Sequence, residues 1–128
     1  MSFEERAQKA VQLKQGGYNC CQAVALALGD LTGLTDEQLL CLASGFALGI
    51  GNMEGTCGAL VGAVMAAGMA TNGRGTVRQT RRISDAFNEK CGSVTCRTLK
   101  GFPGGKVLCP CDQCVRNAVL SYGEILGE

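Results

Sequence analysis

Apolar positions recur along this chain at three- and four-residue spacing, and polar capping signals divide them into short helices. Ser2 with Glu5 has the spacing of a capping box and opens a helix that turns Phe3, Ala7, Ala10 and Val11 inward, with Gly16 and Gly17 to stop it. Asn19 with Gln22 repeats the logic for a second helix ending at Gly29. Thr35 with Gln38 opens a third, whose Leu39, Leu42, Ala43 and Phe46 follow one buried face. A glycine-rich connection over 49–55 precedes a fourth helix, about Thr56 to Ala70, that is apolar all round and so belongs at the centre. Gly58, Gly62 and Ala66 share a stripe on it where a neighbouring helix can come close. The fifth segment, about Thr76 to Lys90, carries Val77, Thr80, Ser84, Phe87 and Cys91 on its inner side.

A short turn about Thr95 to Leu99 and a loop at Gly101 to Gly105 follow. Pro110 suits the first position of a last helix that turns Val115, Ala118, Val119, Tyr122 and Leu126 inward. Segments 92–97 and 106–109 have strand character but too few partners to make a sheet. The pattern predicts an all-α fold, a compact bundle of five or six short helices around residues 56–70, with 1–128 forming a single domain.

The composition, 46% apolar and 18% charged, agrees with a folded globular chain. The run Thr56 to Ala70 falls short of the roughly 20 residues needed to cross a bilayer, so it reads as a core helix and no membrane role is expected. The polar start MSFEERAQKA lacks the basic-then-apolar form of a secretory leader, and the expected compartment is the reducing cytoplasm, where standing disulfides are disfavoured. Residues 72–106 hold eight Lys/Arg against Asp85 and Glu89. Aromatics are only 5% and Trp is absent, and Arg78, Arg81 and Arg82 fall on the outer face of a helix. That basic face reads as solvated or as a docking patch for an acidic partner, and nucleic acid is not an expected ligand.

Nine cysteines and no histidine change the picture most. Without an imidazole there is no Cys₂His₂ finger, no His-ligated iron and no His-activated nucleophile. Chemistry in this chain falls to sulfur. Cys20, Cys57 and Cys96 each follow a capping residue (Asn19, Thr56, Thr95), and Cys109 and Cys111 flank Pro110. A thiol at a helix N-terminus meets free backbone N–H groups and the positive end of the helix dipole, which favour thiolate, the form that attacks, oxidises or binds metal. Cys111 and Cys114 have C-x-x-C spacing, which serves a disulfide or a metal equally well. Cys41 between two leucines reads as a small buried hydrophobe, and Cys21 and Cys91 stand closer to filler than to function. The loop GIGNMEG has no preceding strand and no P-loop lysine, so it reads as a scaffold that places Cys57 rather than as a phosphate cradle.

The stretches GGYNCCQAV and GIGNMEGTCGALVGA, the later Cys96 and the final CDQCVRNAV together resemble the redox-active family named for its pattern C_GCAxxG_C_C. The resemblance runs from about Glu4 to Leu126, and its most specific part is Cys57-Gly58-Ala59-x-x-Gly62 after Gly55 and Thr56. It implies a small helical redox protein whose signature cysteines fall on Cys20, Cys57, Cys96 and Cys114, with Cys111 as rival to Cys114 or as a neighbouring redox thiol. Similar modules within larger electron-transfer proteins point to an iron–sulfur cluster, which four thiolates can hold. A metal-free thiol–disulfide oxidoreductase (Cys111 with Cys114, or Cys20 with Cys57) and a structural zinc–thiolate protein are the alternatives. The expected partner is an unidentified redox protein, and a homodimer that shares a site stays open.

Overall fold

The computed structural model describes residues 1–127, and among them the architecture is all-helical. Seven α-helices follow in chain order: α1 (Phe3–Gln15), α2 (Cys20–Ala27), α3 (Asp36–Ala43), α4 (Gly58–Ala70), α5 (Thr76–Cys91), the five-residue α6 (Cys96–Lys100) and α7 (Cys111–Leu126). All three expected capping boxes form, at Ser2–Glu5, Asn19–Gln22 and Thr35–Gln38, each satisfying two backbone N–H groups. A 3₁₀ turn (Gly29–Leu31) follows α2, and a π turn (Gly49–Met53) lies between α3 and α4. The strand-like segments 92–97 and 106–109 do not pair into a sheet; among the described residues pairing is confined to one isolated antiparallel bridge, Thr56 with Thr95.

α4 and α7 form the interior. α7 lies against α1, α2, α4 and α5, while α4 lies against α2, α5 and α7. On α4, Gly58, Ala59, Leu60, Gly62, Ala63, Ala66 and Ala67 are buried. Gly62 lets α2 approach: a Cβ there would stand 2.8 Å from the Cys21 carbonyl oxygen and 3.0 Å from Val24 Cβ. Phe87, Ile83, Leu99, Val115 and Val119 are fully buried in the same core as Val24.

Two inward assignments fail, and one buried residue was not expected. Val77 is 84% exposed, because the buried face of α5 runs through Ile83, Phe87 and Cys91 instead. Leu42 is 54% exposed and α3 stops at Ala43, so the stripe expected to continue to Phe46 is cut short. Arg6, which the apolar pattern passed over, is 5% exposed; it bonds the Ala27 carbonyl at 3.2 Å and pairs with Asp30. Arg78, Arg81 and Arg82 lie on the exposed side of α5 as expected. No helix among the described residues is long and apolar enough to cross a membrane.

Candidate thiolate centre

The helix ends decide where sulfur collects. Cys20 is the first residue of α2, Cys57 the N-cap of α4, Cys91 the last residue of α5, Cys96 the first of α6, and Cys111 and Cys114 lie in the first turn of α7 behind Cys109. Cys57 was expected one position inside its helix, after Thr56; it is itself the cap, since Thr56 is held in the bridge to Thr95. Pro110 likewise caps α7 rather than opening it.

The connection before α4 acts as a scaffold. Gly55 donates to the Gly49 carbonyl (2.9 Å), Cys96 N–H donates to Gly55 (3.1 Å) and Cys57 N–H donates to Val94 (2.8 Å). These bonds set Cys57 and Cys96 side by side. Room is minimal: a Cβ on Gly49, whose φ is +55°, would meet Cys96 Cβ at 2.6 Å, and one on Gly58 would meet the Phe46 carbonyl oxygen at 2.6 Å. Leu48, Ile50 and Met53 hold φ of +54°, +63° and +64° in the same turn. Left-handed backbone at such residues costs on the order of 1–3 kcal/mol each and clusters at functional sites.

Cys20, Cys57, Cys96 and Cys111 line one cavity of about 240 Å³, together with Lys14, Lys100, Asn19 and Tyr18. Lys100 Nζ contacts Cys111 Sγ. The Cys20 thiol donates to Cys111 and, with Lys100 and Lys14, holds it as thiolate down to about 5 against the burial that opposes it. Cys20 is pushed well up in return, because it keeps the shared proton. Cys57 is held down to about 7 by the neighbouring Cys114 thiol, by the Ala59 and Leu60 backbone N–H groups and by Lys100. Its position at a helix N-terminus therefore acts as expected. Cys96 does not follow that expectation: burial raises it, and a five-residue helix offers little dipole to oppose burial.

Cys114 does not line the cavity. It is fully buried behind Cys57, with its thiol 3.5 Å from the Cys109 carbonyl oxygen. Its Sγ, that of Cys91 and that of Cys109 all lie within 4.8 Å of one another. Asn117 Nδ2 stands 3.3 Å from Cys91 Sγ and 4.0 Å from Cys109 Sγ. Cys91 is lowered to about 6 by donation from Cys114, Asn117 and Cys109, Cys109 is raised to about 11 by burial, and Cys114 is raised as the proton-bearing member. Cys91, read above as near-filler, is thus part of a thiol cluster. Cys21 is a buried core residue 3.7 Å from Met65 Sδ, and Cys41 is exposed rather than buried, since α3 presents it to solvent. Glu54 pairs with Arg97 at 3.5 Å. Lys100, Lys14 and Asn117 carry no local signal in the sequence, whereas Cys109 was marked only by its place beside Pro110 and Cys91 only by its C-x₄-C spacing to Cys96.

The metal-ligating side chains on the cavity wall are all thiols, as a thiolate-held iron–sulfur cluster requires, and two lysines face the negative charge such a group carries. The residues present fit that group. A helical bundle with seven thiols at one end and no imidazole defines a small cysteine-based redox or metal–thiolate protein. Residues 18–125 match the family described as "Putative redox-active protein (C_GCAxxG_C_C)", and the chain belongs to that family. No curated protein and no solved structure matches it.

Proposed function

We propose that this chain transfers electrons, or senses redox state, through an iron–sulfur cluster held in the cavity by Cys20, Cys57, Cys96 and Cys111. The observation that carries this reading is the convergence of those four thiols, from four separate segments, on one cavity with two lysines. A bound cluster would supply one-electron chemistry. The chain supplies the rest: the Ala59 and Leu60 N–H groups hold Cys57 as thiolate, Lys100 and Lys14 offset anionic charge, and the 49–55 turn keeps Cys57 and Cys96 in register. The resemblance to the family pattern argues for Cys114 as fourth ligand, whereas the lining of the cavity argues for Cys111. Anaerobic purification with visible absorption and iron and sulfide analysis tests the reading. Brown protein whose cluster is lost in C57S and C111S but kept in C114S is expected; colourless, iron-free protein that cannot be reconstituted overturns it.

A second reading is favoured by Cys20 and Cys111 lining one cavity, with Lys100 Nζ against Cys111 Sγ to favour its thiolate. In metal-free protein the Cys111 thiolate attacks a partner's disulfide and expels one partner thiolate. Cys20, losing its proton, then attacks the mixed disulfide, which leaves a Cys20–Cys111 disulfide and a reduced partner dithiol. A reversible Cys20–Cys111 disulfide in peptide mass spectrometry is its signature, and failure of that pair to oxidise removes it.

A further inference from the structure

The cavity leaves five cysteines unused, and the Sγ atoms of three of them converge on one point. We propose that Cys91, Cys109 and Cys114 form a second site, for a single soft metal ion of the copper(I) or zinc type. The proposal does not rest on the iron–sulfur reading, since none of its residues lines the cavity.

The geometry is close to what one ion demands. With metal–sulfur bonds of about 2.3 Å, thiolates around one ion stand roughly 3.8–4.0 Å apart. The three Sγ atoms already lie within 4.8 Å of one another, so each needs to close by no more than about 0.5 Å. They come from three different places, the last residue of α5, the irregular segment before α7, and the first turn of α7. All three residues are at most 5% exposed. Fillers of an apolar gap would not need this convergence on one point.

The surroundings match the second layer of a metal site. Asn117 directs its amide at sulfur, 3.3 Å from Cys91 and 4.0 Å from Cys109, an N–H···S arrangement that orients a thiolate ligand and tempers its charge. The donor set is all sulfur and largely closed to water. That excludes hard, hydrated ions such as magnesium or calcium and selects thiophilic ones. Binding displaces the thiol protons to solvent, including the one Cys114 directs at the Cys109 carbonyl.

An ion there has a structural consequence for the cavity. Near Cys109 the segment between α6 and α7 is tied to α6 by Leu108 and Cys109 N–H donating to the Leu99 carbonyl, at 2.9 and 3.1 Å, while Phe102, Val107 and Leu108 stay more than half exposed. Fixing Cys109 to α5 fixes the residue two positions before Cys111. The second site thereby holds Cys111 on the cavity wall.

The test uses the full chain, reduced, anaerobic and free of iron and sulfide, with Cys20 and Cys111 both changed to Ser to disable the cavity. Cobalt(II), as a spectroscopic stand-in for zinc, and copper(I) against a chromophoric competitor are titrated separately. One ion per chain with sulfur-to-metal charge-transfer absorption is expected for at least one of the two. Adding C109S, which alters no helix, should abolish that binding, and N117A should weaken it about 10-fold. Helix content by circular dichroism confirms that the variants fold. Should the C20S/C111S background fail to fold, the iron-free wild-type chain must bind one ion more than C109S. No tight ion, or equal binding with and without Cys109, overturns the proposal. Because iron and sulfide are absent throughout, failure of the cluster reading leaves this result intact.

Discussion

Replacing Gly62 and Gly68 by Ala, two identical changes on α4, should shift stability in opposite directions. At Gly62 the new methyl would stand 2.8 Å from the Cys21 carbonyl oxygen, 3.0 Å from Val24 Cβ and 3.2 Å from Val24 Cγ1. Ordinary carbon contacts lie at about 3.5–4.0 Å, so α2 and α4 must separate by several tenths of an ångström. Overpacking of that kind costs about 1–3 kcal/mol, against which Ala gains about 1 kcal/mol over Gly in helix propensity. At Gly68 nothing lies within 4 Å, so only the propensity gain remains, about 0.5–1 kcal/mol this near the helix end. The difference between the variants isolates the steric cost. At about 4 °C per kcal/mol for a chain of this size, G62A should melt roughly 4–12 °C below G68A. Thermal unfolding of reduced, metal-free protein followed by circular dichroism measures both. Variants that shift together would refute the argument that α2 and α4 are in limiting contact. That contact matters to the site, since Cys20 and Cys57 sit at the N-terminal ends of those two helices.

In metal-free protein the midpoint for Cys111 alkylation against pH should lie near 5, and it should rise in K100M and rise further in C20A, because the Cys20 proton is the larger stabiliser of the thiolate; unchanged midpoints would remove Lys100 and Cys20 from the site. Ser121 is fully buried on α7 and its hydroxyl has no partner among the described residues, so S121A should gain about 1 kcal/mol in urea unfolding. R6M, which strands the Ala27 carbonyl, should lose about 1–3 kcal/mol. Asp30 is depressed by Arg6, so its contribution is present above the unfolded carboxyl value near 3.9 and fades as pH falls through the lower folded value; D30N should therefore flatten the acid limb of the stability curve and leave its neutral part nearly parallel to wild type.

The parts of this fold that could be read from the sequence are those decided within a few residues. A capping box closes over four positions, so Ser2–Glu5, Asn19–Gln22 and Thr35–Gln38 announce their helices, and the second of them the helix-start address of Cys20, whatever the rest of the chain does. Buried faces were less legible where the apolar stripe was thin, as on α5, where Ile83 rather than Val77 turned inward. The thiols depended on more than address. Cys20 and Cys96 both begin helices, yet one keeps a proton because Cys111 faces it and the other is raised by burial; neither neighbour is local in sequence. The choice between Cys111 and Cys114 has the same origin. Three residues apart, they differ by about 60° around a helix. That angle separates the cavity wall from the buried pocket formed with Cys91 and Cys109 only after α7 has docked against α4 and α5. A C-x-x-C pair is usually read as two thiols for one task. Here the docking of α7 divides the pair between two thiol sets, one open and one closed, with Cys57 touching both.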